Sequence, residues 1–174
     1  MRFRLRTLLI LLAIGPPLLG QGCHKAENPL TSANVEPRTT MPTTDPAETV
    51  KAFIAAYHAW QDAAFARSQA ADADGLARAR KITIEEHDKQ LVARFYAPTV
   101  VPQSPTYGTY SMHDLARETI ESVSVDGAKA IVITKHNEVS GLASQYEYHL
   151  SVIDGAWKLT SLLYVDTEGK YECL

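Results

Sequence analysis

Apolar residues recur with a period of about 3.6 in the first part of the chain and alternate with a period of about 2 after Glu118. Asp45-Pro46-Ala47-Glu48 opens the first periodic stretch. A capping Asp, Pro at the first helical position and Glu three residues after the cap make a helix start with a capping box. Val50, Phe53, Ile54, Tyr57 and Phe65 follow on one face, so the pattern predicts a helix reaching Ala70. Asp72-Ala73-Asp74-Gly75 breaks it. A second helix is predicted from Thr83, with Ile84, Leu91, Val92, Phe95 and Tyr96 as its apolar face and Pro98 as its stop. Pro98 to Tyr110 reads as loop, and Ser111-Met112-His113-Asp114 as the opening of one helical turn.

Four strands follow, Ile120–Val125, Lys129–Glu138, Ala143–Ile153 and Ala156–Asp166. Asp126-Gly127 and Asp154-Gly155 mark tight hairpins, and Gly141 falls in a longer turn. In the third strand Tyr146, Tyr148, Leu150 and Val152 share one face, and Gln145, Glu147, His149 and Ser151 the other. In the fourth, Trp157, Leu159, Leu163 and Val165 align against Lys158, Thr160 and Tyr164. One apolar sheet face needs a cover, which the helices supply. The expected architecture is α+β, with N-terminal helices packed on a curved antiparallel meander.

The N-terminus changes the picture. Arg2, Arg4 and Arg6 precede an apolar run from Leu8 to Leu19, and Gly20-Gln21-Gly22 precede Cys23. This is the layout of a secretory signal over residues 1–22, with a run shorter than the roughly 20 residues of a membrane span. Cys23 directly after a small residue resembles the lipobox of bacterial lipoproteins, although Gly20 stands where that pattern usually has Leu. The resemblance implies lipid attachment at Cys23. Residues 23–44, rich in Thr, Pro, Ser and Asn, then read as a flexible spacer and 45–174 as one soluble domain. The implied location is the periplasm, tethered to a membrane of the cell envelope.

Charge and composition narrow the function. Three of the 17 Lys and Arg lie in the signal, so from Cys23 onward 14 face 20 Asp and Glu, a net of −6. Nucleic-acid binding needs clustered cations and is not expected. Two cysteines, Cys23 and Cys173, make neither a disulfide scaffold nor a cysteine zinc cage. No phosphate loop, nucleophile elbow or dinucleotide fingerprint is present, so no cofactor, metal or catalytic residue is assigned.

The candidate chemistry is sparse. His58 and Asp62 stand four apart on the first helix and read as a surface pair, as two ligands do not make a metal site. Arg78, Arg80 and Lys81 read as a solvated turn. Tyr57, Tyr146, Tyr148 and His136 are the candidates to line a pocket between helix and sheet, against the alternative that the aromatics, with Tyr96 and Trp157, are core. Glu147, His149, Tyr164, Asp166 and Glu168 form an acidic and aromatic set suited to a basic protein partner.

The order helix–helix–loop–meander over residues 45–174 resembles the nuclear transport factor 2-like superfamily, a cystatin-like roll. The run Tyr146-Glu147-Tyr148-His149-Leu150, then Asp154-Gly155-Ala156-Trp157-Lys158-Leu159, then Glu168-Gly169-Lys170-Tyr171-Glu172-Cys173-Leu174, is similar to immunity proteins of this fold in bacterial polymorphic toxin systems. That resemblance implies a non-enzymatic protein that neutralises a cognate toxin by occlusion. The alternatives are a periplasmic small-ligand-binding protein or enzyme of the same fold, and an envelope assembly scaffold.

Overall fold

The computed structural model describes residues 42–139 and 141–174. The signal segment, Cys23 and most of the spacer lie outside the described residues. The architecture is α+β, with two helices packed on a five-stranded antiparallel sheet of order β1-β2-β3-β4-β5. No helix among the described residues is long and apolar enough to cross a membrane.

Helix α1 spans Pro46–Ala70. Asp45 caps it, its carboxylate accepting from the Ala47 N–H at 2.8 Å. Glu48 does not reach back to close a capping box; it pairs with Lys51 at 2.8 Å. Val50, Phe53 and Ile54 enter the core as the spacing predicts, but Trp60, Gln61 and Ala64 carry the buried face onward, and Phe65 is only half-buried. The Trp60 indole N–H donates to the Thr83 carbonyl at 3.1 Å, tying α1 to the next helix.

Helix α2 spans Leu76–His87, seven residues earlier than the pattern predicts. The reason is local. The Asp72 carboxylate accepts from the Gly75 N–H at 2.7 Å and its carbonyl accepts from Leu76, so the supposed break is a turn feeding straight into the helix. Of the expected face Leu91, Phe95 and Tyr96 are buried, but Ile84 is 37% exposed, and Ala79, Thr83 and His87 carry the buried stripe through α2 instead. A stripe repeating every four residues drifts around an α-helix. A π-helical turn over Asp88–Val92, followed by the short α3 (Ala93–Phe95), winds the later members back onto the core. Arg67 clamps the pair, donating to the Thr83 hydroxyl at 2.9 Å and to Glu86 at 2.7 Å.

Tyr96 is extended and bridges Leu159, and the Ala97 N–H donates to the Leu159 carbonyl at 2.8 Å. This fixes the helical layer to the sheet. The expected helical turn at Ser111 forms three residues later. There the Asp114 carboxylate accepts from the Ala116 N–H, and its carbonyl accepts from Arg117 and Glu118.

Strands β1 (Glu118–Asp126), β2 (Lys129–Asn137), β3 (Ala143–Ile153) and β4 (Ala156–Val165) lie close to the expected positions. Asp154 and Gly155 both have positive φ, 50° and 75°, as a two-residue hairpin between β3 and β4 requires. A fifth strand, β5 (Lys170–Glu172), pairs with β4. The Asp166 carboxylate makes that turn, accepting from the Glu168 and Gly169 N–H groups.

A shift of pairing between His149 and Leu150 leaves Thr160 without a partner position in β4. One extra residue in a strand reverses the alternation beyond it. Trp157 and Leu159 therefore face the helices as expected, but Leu162 and Tyr164 take over from there. Leu163 and Val165 face outward with Glu147, the reverse of the simple pattern. The core joins Val50, Phe53, Ile54, Trp60, Leu91 and Phe95 to Val132, Tyr148, Leu150, Leu159 and Leu162.

Candidate functional site

Glu118 begins β1 on the inner face, paired with His136 and two residues before Ile120, which pairs with Thr134. Its carboxylate is buried yet accepts three hydrogen bonds: His113 Nδ1 at 2.9 Å, Thr134 Oγ1 at 2.6 Å and Tyr148 Oη at 2.6 Å. Tyr148 Oη also lies 2.9 Å from His113 Nδ1, so the phenol donates to Glu118 while the imidazole N–H is shared between both oxygens. Burial pushes the Glu118 carboxyl up. The hydrogen bonds and charge of His113, with those of Thr134 and Tyr148, outweigh it and hold the carboxyl below its usual range. Burial, then the Glu118 charge and hydrogen bond, drive the Tyr148 phenol far above its usual value. Every polar atom drawn into this network is satisfied, and the network is closed to solvent.

His136 differs. It is 4% exposed, and neither ring nitrogen has a hydrogen-bond partner among the described residues. Burial lowers its pKa, Glu118 and Glu138 oppose that, and Arg117 and His113 add to it. The result is a neutral imidazole at neutral pH. Orphaned nitrogens of this kind are rare in folded interiors.

His136 forms part of the wall of a cavity of about 720 Å³ between the 110–117 loop and the sheet. Tyr146 and Tyr164 form the sheet wall, Met112 and Arg117 come from the loop, and Glu138, Tyr171 and Cys173 complete the mouth. Gln61 of α1 holds the loop, its amide donating to the Tyr110 carbonyl at 2.6 Å and accepting from the Met112 N–H at 3.3 Å. The Arg117 guanidinium is tied to Asp114 at 3.2 Å and to the Ser111 carbonyl at 3.1 Å. Burial raises the Cys173 thiol, a smaller opposing effect comes from Tyr164, and Glu172 raises it further, so it stays protonated.

Of the four residues expected to line a pocket, His136 and Tyr146 do so. Tyr148 lies below, wholly buried on Glu118. Tyr57 belongs to a separate cavity of about 170 Å³ beside Tyr96 and His113, its hydroxyl 3.8 Å from Met112 Sδ. Burial pushes the Tyr57 phenol up to about 12. Tyr96 and Trp157 are core.

The acidic set does not gather into one free surface. Glu147 and His149 are on the outer face of β3. Glu147 is engaged by Lys170 at 2.6 Å and His149 at 3.3 Å, which hold its carboxyl low, Lys170 most. Asp166 caps the β4–β5 turn with Glu168 beside it, and Tyr164 turns inward to the cavity. His58 and Asp62 form an exposed pair at 3.5 Å, and Arg78, Arg80 and Lys81 are exposed. No group of three His, Cys, Asp or Glu among the described residues is placed to hold a metal ion.

The pattern alone did not single out Glu118, His113, Thr134 or Arg117. A signal existed for Glu118, since it shares parity with Ile120 and so falls on the core side of β1. These features define an α+β domain with a cavity of about 720 Å³ between its 110–117 loop and the sheet. No family model, curated protein or solved structure matches the chain.

Proposed function

We propose that the domain binds a small, largely apolar molecule in the cavity above Tyr146 and Tyr164. One observation carries the reading: a buried histidine with no hydrogen-bond partner forms part of the wall of a cavity of ligand size. A folded protein tolerates such a loss where the group serves a ligand. The ring nitrogens are closed to water as they stand. A ligand group reaches them when the imidazole turns about χ2, a soft sp³–sp² torsion. The closed Glu118 network forms the rigid floor beneath and is not itself reactive.

The nuclear transport factor 2-like reading of the fold is part of this proposal, supported by the helix–helix–loop–meander order. So is a lipid-tethered periplasmic location, supported by the residues around Cys23 and testable from the mass of the mature N-terminal peptide. Toxin neutralisation by the outer face has less support, since Glu147 is already engaged and Tyr164 faces inward. The test is a small-molecule screen that follows alkylation of Cys173, resolved from Cys23 by peptide mass spectrometry. Binders slow alkylation of Cys173 and raise the melting temperature, and both effects shrink in His136→Leu. A screen in which melting shifts never coincide with protection of Cys173 would remove the cavity as the binding site.

A further inference from the structure

We infer that this cavity is the outer half of a longer site, whose ligand carries a slender alkyl or aryl-alkyl tail that passes between Met112 and Cys173 into the small cavity beside Tyr57. The inference rests on the pocket reading above and names the class of ligand for it.

The shared wall supplies the first argument. Met112 and Cys173 line both the cavity of about 720 Å³ and the cavity of about 170 Å³, so these two side chains stand between them. Both are suited to yield. Met112 is 42% exposed, and the bond its thioether accepts from the Tyr57 hydroxyl, at 3.8 Å, is a weak one. Gln61 pins the Met112 backbone, so the unbranched side chain swings while the loop stays in place. Cys173 is small, and its N–H donates to the Leu162 carbonyl at 2.8 Å, which holds its backbone to β4.

The inner walls supply the second. Phe53, Tyr57, Tyr96 and Leu162 give the small cavity its rings and aliphatic surface. Of the polar groups there, His113 is bonded to Glu118, Gln103 donates to the Glu172 carbonyl at 3.1 Å, and His87 lies 3.4 Å from Asp88. The contact left to a ligand is with hydrocarbon. A cavity of this size holds one ring or a short chain. A tail there buries its surface while the polar end of the ligand stays at His136. Tyr57, expected to line one pocket with His136 and Tyr146, then rejoins them.

The test on the full chain uses para-bromophenyl alkanols, from the ethanol to the octanol, with the bromine at the end away from the hydroxyl. An aryl bromide does not alkylate thiols, and bromine quenches the emission of a tryptophan that it touches. Trp60 is the reporter, its ring centroid 5.4 Å from that of Tyr57 and 5.0 Å from that of His87, both of which line the small cavity. Trp157, the other tryptophan, lines neither cavity. Affinity, read from protection of Cys173, should rise about fourfold per methylene, and the longer members should quench Trp60. The quenching is lost in Trp60→Phe and kept in Trp157→Phe. Vesicles of a phosphatidylcholine with brominated acyl chains separate the sources: quenching by them as well assigns a lipid chain, and quenching by the free alcohols alone assigns a small molecule. Long members that protect Cys173 without quenching Trp60 overturn the inference and leave the pocket reading standing. Quenching by the shortest members as strong as by the longest means that the small cavity fills by itself, and also overturns it. If no member protects Cys173, both readings fall.

Discussion

His136→Leu should make the domain more stable while removing ligand binding. His136 contributes two nitrogens to the interior that no described group satisfies. Burying a polar group without a partner costs about 1–3 kcal/mol, and leucine of similar size carries no such cost. Its different branching in the site left by a flat ring costs less than about 1.5 kcal/mol. The balance is a gain of about 1 kcal/mol, which in a domain of this size raises Tm by roughly 3–5 °C. The gain should also depend on pH. Burial holds the folded-state pKa of His136 below the ordinary histidine value of 6.5. The unfolded chain therefore binds a proton that the folded chain refuses as pH falls below 6.5, and stability drops until the folded pKa is passed. The variant lacks that slope, so its advantage widens between neutral pH and the folded pKa. Urea melts at a series of pH values measure both quantities. A variant less stable than wild type by about 1 kcal/mol at neutral pH, with an unchanged pH slope, would refute the reasoning, because it would mean that the ring nitrogens are satisfied in solution.

Glu118→Gln replaces a pure acceptor with an amide whose NH2 faces donors, and should cost about 3 kcal/mol by chemical denaturation. The Glu118 carboxyl sits below its usual range, so its stabilisation is present above pH 4.5 and fades as pH falls through the folded pKa. Acid titration of wild type against the variant should show that difference vanish; a constant gap down to low pH would exclude the charged network. Asp45→Ala removes the α1 cap and should lower stability by about 1 kcal/mol in thermal melts, with no effect on ligand affinity. Glu147→Lys with Glu168→Lys changes the outer face only, so probe affinity in the cavity stays within about twofold while the Lys170 pair is lost. A large loss of probe affinity there would tie the outer face to the cavity.

The elements that could be read from the sequence are those whose signal is local. Asp45-Pro46 starts α1 where its cap chemistry says, and Asp154-Gly155 closes a hairpin because both positions take positive φ. The errors arise where one residue changes the phase of a pattern. The π-helical turn at Asp88–Val92 lets a four-residue stripe stay buried, so Thr83 and His87 displace Ile84 from the core. The bulge at Thr160 does the same for a strand, and it decides the site. With strict alternation, Leu163 and Val165 would close the inner face with aliphatic groups, and Tyr164 would look outward beside Glu147. The extra residue brings Leu162 into the core and turns Tyr164 toward Tyr146, which is how the ring wall of the cavity arises. No composition or spacing marks Thr160 as the residue left over, because either phase offers β4 an apolar face of similar size. The choice is made by the partners of the strand. Ala97 and Tyr96 hold Leu159 in one phase, Glu172 and Tyr171 hold Leu163 and Tyr164 in the other, and the strand satisfies both by bulging between them. The cavity is therefore a product of long-range pairing, while the residues that line it were visible in the sequence only as separate aromatic and titratable positions.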